Sequence, residues 1–161
     1  MARRSKAREV ALQMLFQCDL NRDVDGRMVA EMVRELLPED DLRDFAMRLF
    51  SGTIENRDLL DTRIQQIATN WKLFRMAATD RNVLRLGAYE LLYLETPPNV
   101  AIDEALELAK KFGSEASAQF VNGILDKLVT ARGTAAAPPK LDETPSADRL
   151  SPCVTRASIF V

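Results

Sequence analysis

Apolar side chains recur along this chain at intervals of three and four residues, the period that sets them on one face of an α-helix. Leu42, Phe45, Leu49 and Phe50 keep that period, and Leu60, Ile64, Ile67 and Trp71 continue it on one predicted face. The clearest case begins after Asn99, a predicted cap. Ala101, Ile102, Ala105, Leu106, Leu108, Ala109 and Phe112 cover half of the helical wheel, and Asp103, Glu104, Glu107, Lys110 and Lys111 cover the other half. No strand-length alternation competes with this pattern. The expected class is all-α, with seven helical segments and a tail.

Turn residues mark the boundaries. The first segment runs from about Arg3 to Leu20, and the polar stretch Asn21 to Gly26 closes it. The second runs from about Arg27 to Leu37, where Pro38 stops it and Asp40 or Asp41 caps the next start. Gly52 suggests a break or bend in the third. Thr79 or Asp80 caps a fifth segment that is apolar nearly all round, from Val83 to Tyr93, as suits the centre of a fold. Pro97 and Pro98 end it. Gly113 stops the sixth and Ser114 caps the seventh, which buries Val121, Ile124, Leu125 and Leu128. From residue 131 onward prolines accumulate and no apolar face recurs, so residues 131–161 are expected to be a disordered tail behind a helical domain of residues 1–130.

Composition narrows the function. Hydrophobic residues make up 47% and charged residues 29% of the 161, the balance of a globular chain. No apolar run reaches about 18 residues and no secretory signal is evident, so neither a membrane span nor export is expected, and the cytoplasm is the expected compartment. Cys18 and Cys153 are too few and too distant for a disulfide framework. Histidine is absent, which removes the commonest general base and the commonest transition-metal ligand. No phosphate-binding glycine loop, CxxC or isolated carboxylate pair stands out. Catalysis, metal and cofactor are therefore not expected.

The net charge of −2 says nothing for nucleic acid, but its distribution does. Arg3, Arg4, Lys6 and Arg8 crowd the first predicted turns with no acid among them. A helix N-terminus already carries positive partial charge, so a phosphate backbone would relieve this crowding. A solvated, frayed end is the plainer alternative. The same helix carries two apolar stripes on opposite sides, at about 100° per residue. Ala7, Ala11, Met14, Leu15 and Cys18 form one, and Leu12, Phe16 and Leu20 the other. Either the helix is sandwiched within its own fold or the second ridge meets a partner protein.

Three further positions hold similar alternatives. Arg81 and Arg85 sit one turn apart on an otherwise apolar helix, as a surface ridge or a contact. Phe120, at the edge of an apolar stripe, belongs to the core or stacks on an unpaired base. Gly123 within the seventh helix costs about 1 kcal/mol against alanine, which close approach of a neighbouring backbone would compensate.

The blocks RNVLRLGAYELLY (81–93), VAIDEALELAKKFGSEASAQFVNGILDKL (100–128) and AREVALQMLFQCDL (7–20) resemble the NusB family of bacterial transcription antitermination factors. The resemblance implies a seven-helix fold of two small helical bundles packed around a long first helix. It implies binding of boxA-type RNA in ribosomal RNA leaders, together with the small-subunit ribosomal protein NusE, in a complex that keeps RNA polymerase elongating. It implies no catalysis and no cofactor. Carried over residue by residue, Arg3, Arg4, Lys6, Arg8, Arg85, Gln119 and Phe120 are expected on the RNA side. Leu12, Phe16, Leu20, Asp80 and Arg81 are expected on the partner side. Members of the family resemble monomers or dimers, so a homodimer contact by the ridge stays open. Two rival readings are a helical module that binds protein only and the NusB-like domain of ribosomal RNA cytosine methyltransferases, whose large catalytic domain has no counterpart in this sequence.

Overall fold

The computed structural model describes residues 2–132. The expected tail therefore lies outside the described residues, except that Ala131 and Arg132 complete the last helix. Seven α-helices occur among these residues: α1 (Ala2–Leu20), α2 (Gly26–Leu36), α3 (Asp40–Glu55), α4 (Arg57–Ile67), α5 (Ala78–Tyr93), α6 (Pro98–Phe112) and α7 (Glu115–Arg132). A short 3₁₀ turn, Leu73–Arg75, lies between α4 and α5. No described helix is long and apolar enough to cross a membrane. Two compact units divide at residues 55 and 56.

The first unit holds α1, α2 and α3. α1 and α2 both pack on α3. Val10, Leu15, Val29, Val33, Leu49 and Phe50 are fully or almost fully buried. Asp25 caps α2, its carboxylate accepting the Met28 N–H at 2.9 Å. The corner between α2 and α3 is held by Arg43, whose guanidinium donates to the carbonyls of Leu37 at 2.5 Å and Pro38 at 3.1 Å. Asp40 and Asp41 lie inside the first turn of α3, where their charge suits the helix dipole. α3 runs unbroken through Gly52. The break comes at Asn56, the N-cap of α4.

In the second unit α5, α6 and α7 pack against one another, and α4 packs on α5 and α7. Asn82 to Leu91 of α5 are all buried, as the all-round apolar pattern predicts. Its start is two or three residues earlier than the sequence suggests, with Ala77 as N-cap. The proline pair also acts differently. α5 has already ended at Tyr93, whereas Pro97 caps α6 and Pro98 is its first residue. That position has no intrahelical partner for an N–H, so proline loses nothing there. Gly113 ends α6 and the Ser114 hydroxyl accepts the Ser117 N–H at 3.2 Å, matching the pattern.

The close approach expected at Gly123 is found instead at Gly87. A Cβ on Gly87 would stand 3.0 Å from Leu125 Cδ1 and 3.3 Å from Ala105 Cβ, so this glycine lets α5 meet both of its neighbours. Gly123 is exposed, and a Cβ there would meet nothing within 4 Å. The Gly123→Ala variant is therefore expected to gain about 0.5–1 kcal/mol, through helix propensity alone. A thermal melt checks it, and an unchanged or lower midpoint would show a constraint at Gly123 that the packing does not contain.

Candidate nucleic-acid interface

The cationic end of α1 is built on an aromatic ring of α3. The Arg4 guanidinium lies 5.0 Å from the Phe45 ring centre and that of Arg8 lies 5.2 Å from it. A ring face attracts a guanidinium and limits its rotamers, so Phe45 positions charge that would otherwise wave in solvent. Arg4 is exposed and Arg8 is only 3% exposed. Arg3 is exposed and paired with the Glu39 carboxylate, and Lys6 lies 3.4 Å from Glu9. Such exposed pairs are worth at most about 1 kcal/mol and yield readily to a phosphate. Of the four α1 cations expected to face RNA, Arg3, Arg4 and Lys6 are exposed. Arg8 is buried and reinforces the ring contact, because the inward stripe of α1 carries it into the unit.

The second ridge of α1 is graded. Leu12 is buried at 4%, Phe16 is half-buried and Leu20 is exposed at 65%. Leu12 thus belongs to the core, and only the C-terminal end of the ridge is open to a partner.

In the second unit Arg85 departs from its expected role. It is buried, and its guanidinium grips Asp61 through two parallel hydrogen bonds, Nε to Oδ1 at 2.7 Å and Nη2 to Oδ2 at 2.9 Å. Nη1 donates to Asn82 Oδ1 at 3.4 Å. A cation so enclosed is not offered to a phosphate. Arg81 is half-buried and donates to the Met76 carbonyl at 3.3 Å. Asp80 lies in the first turn of α5, and its Oδ1 is buried with no hydrogen-bond partner among the described residues.

Gln119 is exposed and Phe120 half-buried on α7. Phe120 meets Trp71 edge to face, with ring centres 5.7 Å apart and planes at 72°. The period of α4 had placed Trp71 on a buried helix face. Instead α4 ends at Ile67, and Trp71 lies beyond it, 60% exposed. The Gln65 side chain explains the stop, since it competes for the backbone that would have continued the helix. Its Nε2 donates to the carbonyls of Ala68 at 2.9 Å and Trp71 at 2.8 Å, and its Oε1 accepts the Leu73 N–H at 3.0 Å. Phe74 follows, 73% exposed, with the Arg75 guanidinium 5.7 Å from its ring centre. Sequence reasoning missed Phe45, Asp61 and Phe74 as site-building residues. The apolar-cationic alternation of Trp71 to Arg75 was the one available signal.

No group of three or more His, Cys, Asp and Glu side chains able to hold a metal occurs among the described residues. The features define an all-helical protein that sets exposed cations at the α1 end and exposed aromatic rings, Trp71 and Phe74, beside Lys72 and Arg75. The particular family follows from comparison. The chain matches the NusB family over residues 5–130 and belongs to it. It is 44% identical over 130 residues to the transcription antitermination protein NusB of Anaeromyxobacter dehalogenans (strain 2CP-1 / ATCC BAA-258), an alignment spanning 80% of this chain and 92% of that protein. A crystal form of T. maritima NusB superposes with a TM-score of 0.74 at 38% identity, covering 84% of this chain and 93% of that one. A NusB crystallised with NusE and double-stranded RNA superposes with a TM-score of 0.74 at 28% identity, covering 81% and 98%. As a member of this family the chain is not an enzyme.

Proposed function

We propose that this chain is a cytoplasmic antitermination factor that binds boxA-type RNA of ribosomal RNA leaders together with NusE and promotes assembly of an antitermination complex on RNA polymerase. The observation that carries the RNA reading is the end of α1. There Arg3, Arg4 and Lys6 are exposed, and Arg4 is positioned over Phe45. Phe120 and Gln119 add an aromatic and an amide from α7, suited to an unpaired base. The exposed end of the α1 ridge, Phe16 and Leu20, supplies apolar surface for NusE, with Asp80 and Arg81 as further contacts. The likeness to a NusB solved with NusE and double-stranded RNA supports the pairing of these two partners.

Counterion release makes the RNA reading measurable. Each phosphate neutralised by a lysine or arginine contributes about −0.7 to the slope of log K against log salt for a single strand. The triple variant Arg3→Ala, Arg4→Ala, Lys6→Ala is expected to flatten that slope by about 2 and to weaken binding on the order of tenfold or more. Titration of a labelled boxA-type RNA at several salt concentrations checks this. The same slope and affinity as the parent would remove the RNA reading of the α1 end, and a parent that captured NusE but no RNA would favour the protein-only module.

A further inference from the structure

We infer that Trp71 is a second stacking platform for the bound RNA, holding an unpaired base beside the one taken by Phe120. The inference rests on the RNA-binding reading above and adds a residue and a subsite to it. Trp71 is 60% exposed, although its indole is among the most favourable side chains to bury. Its position is nevertheless fixed. Gln65 holds the backbone at Ala68, Trp71 and Leu73 by three hydrogen bonds of 2.8–3.0 Å. Leu73 is itself buried at 8%, anchoring the 3₁₀ turn that follows. An exposed aromatic on an ordered backbone loses little conformational freedom when a flat ligand settles on it.

The ring geometry leaves room for that ligand. In the edge-to-face contact with Phe120, at 72°, the edge of one ring meets a single face of the other, and this contact takes up no further ring face. The local charge selects the ligand class. From Ala68 to Ala78 the chain carries Lys72 and Arg75 and no acid, and both cations are exposed. Aromatic faces interleaved with cations match bases interleaved with phosphates, the arrangement by which single strands are held without strict sequence reading.

Trp71 is the single tryptophan of the chain, so its emission reports this site and no other. The intact protein is titrated with a short boxA-type single-stranded RNA carrying a terminal dye. Dye anisotropy follows total binding while indole emission follows Trp71. The expected result is quenching of the indole in step with the anisotropy rise. Trp71→Ala is expected to weaken binding roughly 5- to 100-fold with an unchanged melt, and Trp71→Phe to restore most of it. A rise in anisotropy with unaltered emission, and equal affinity for Trp71→Ala, overturns the inference and leaves the RNA reading standing. No anisotropy change for the parent overturns both. Quenching by NusE alone, with none by RNA, assigns Trp71 to a protein contact and overturns it too.

Discussion

Asp61→Ala is expected to destabilise the protein by about 3 kcal/mol, enough to lower the melting midpoint by roughly 10 °C. The reason is Arg85. Its side chain is 6% exposed and that of Asp61 is 26% exposed, with the two joined by the paired bonds between α4 and α5. Removing the carboxylate leaves a charged guanidinium with its main acceptor gone and little water around it. Asn82 remains as a neutral acceptor, already committed through its amide nitrogen to the Ala78 carbonyl at 2.8 Å. The partial exposure of Asp61 keeps the expected loss at the low end of the range for a broken buried pair. Removing both charges is a different experiment. The double variant Asp61→Ala, Arg85→Met leaves no stranded ion and fills much of the arginine's volume, so it should recover most of the loss. Urea unfolding of the single and double variants measures this. A single variant as stable as the parent would show that the pair is open to solvent. A double variant that is stable yet loses RNA would return Arg85 to the RNA side, against the geometry found here.

The case of Arg85 shows where the sequence stops being legible. Helical period located all seven helices, and the pattern of α6 with its Gly113 and Ser114 ends was readable in detail. Period fixes the phase of a helix but not its neighbours. Arg81 and Arg85 share the same one-turn spacing, and only the partner distinguishes them. That partner lies on α4, 24 residues away. The two glycines make the same point. Gly123 is conspicuous because it interrupts a helix, whereas Gly87 is the one whose missing Cβ admits Leu125 and Ala105. Trp71 was misplaced for a local reason, since a glutamine that satisfies three backbone groups ends the helix before the period runs out. The proline pair was ambiguous in principle, because a residue that cannot continue one helix is also a favoured first residue of the next. For the site, charge crowding pointed to the α1 end, but the ring that organises it comes from Phe45 on another helix.

The α1 ridge is expected to split by position, and this decides how far it serves as an interface. Leu12→Ala should cost about 2–5 kcal/mol, since Leu12 is 4% exposed and its removal leaves a cavity. Leu20→Asp should change stability by no more than about 0.5 kcal/mol, because Leu20 is 65% exposed and has little packing to lose. The same Leu20→Asp variant is expected to lose capture of NusE, since a carboxylate would have to be desolvated against an apolar partner surface. Phe16, half-buried between them, should show both effects in part for Phe16→Asp. Thermal melts beside NusE pull-downs separate the two readings at each position. Capture by Leu20→Asp at the level of the parent would end the case for this ridge as the partner site, and the fold would still account for Leu12. A Leu12→Ala protein with an unchanged melt would instead mean that α1 is not packed on that side. An i, i+4, i+8 series is continuous on the wheel, yet its environment changes along its length, from core at the first residue to solvent at the last. One helix therefore anchors its own fold with the same stripe that it leaves open to solvent two turns later.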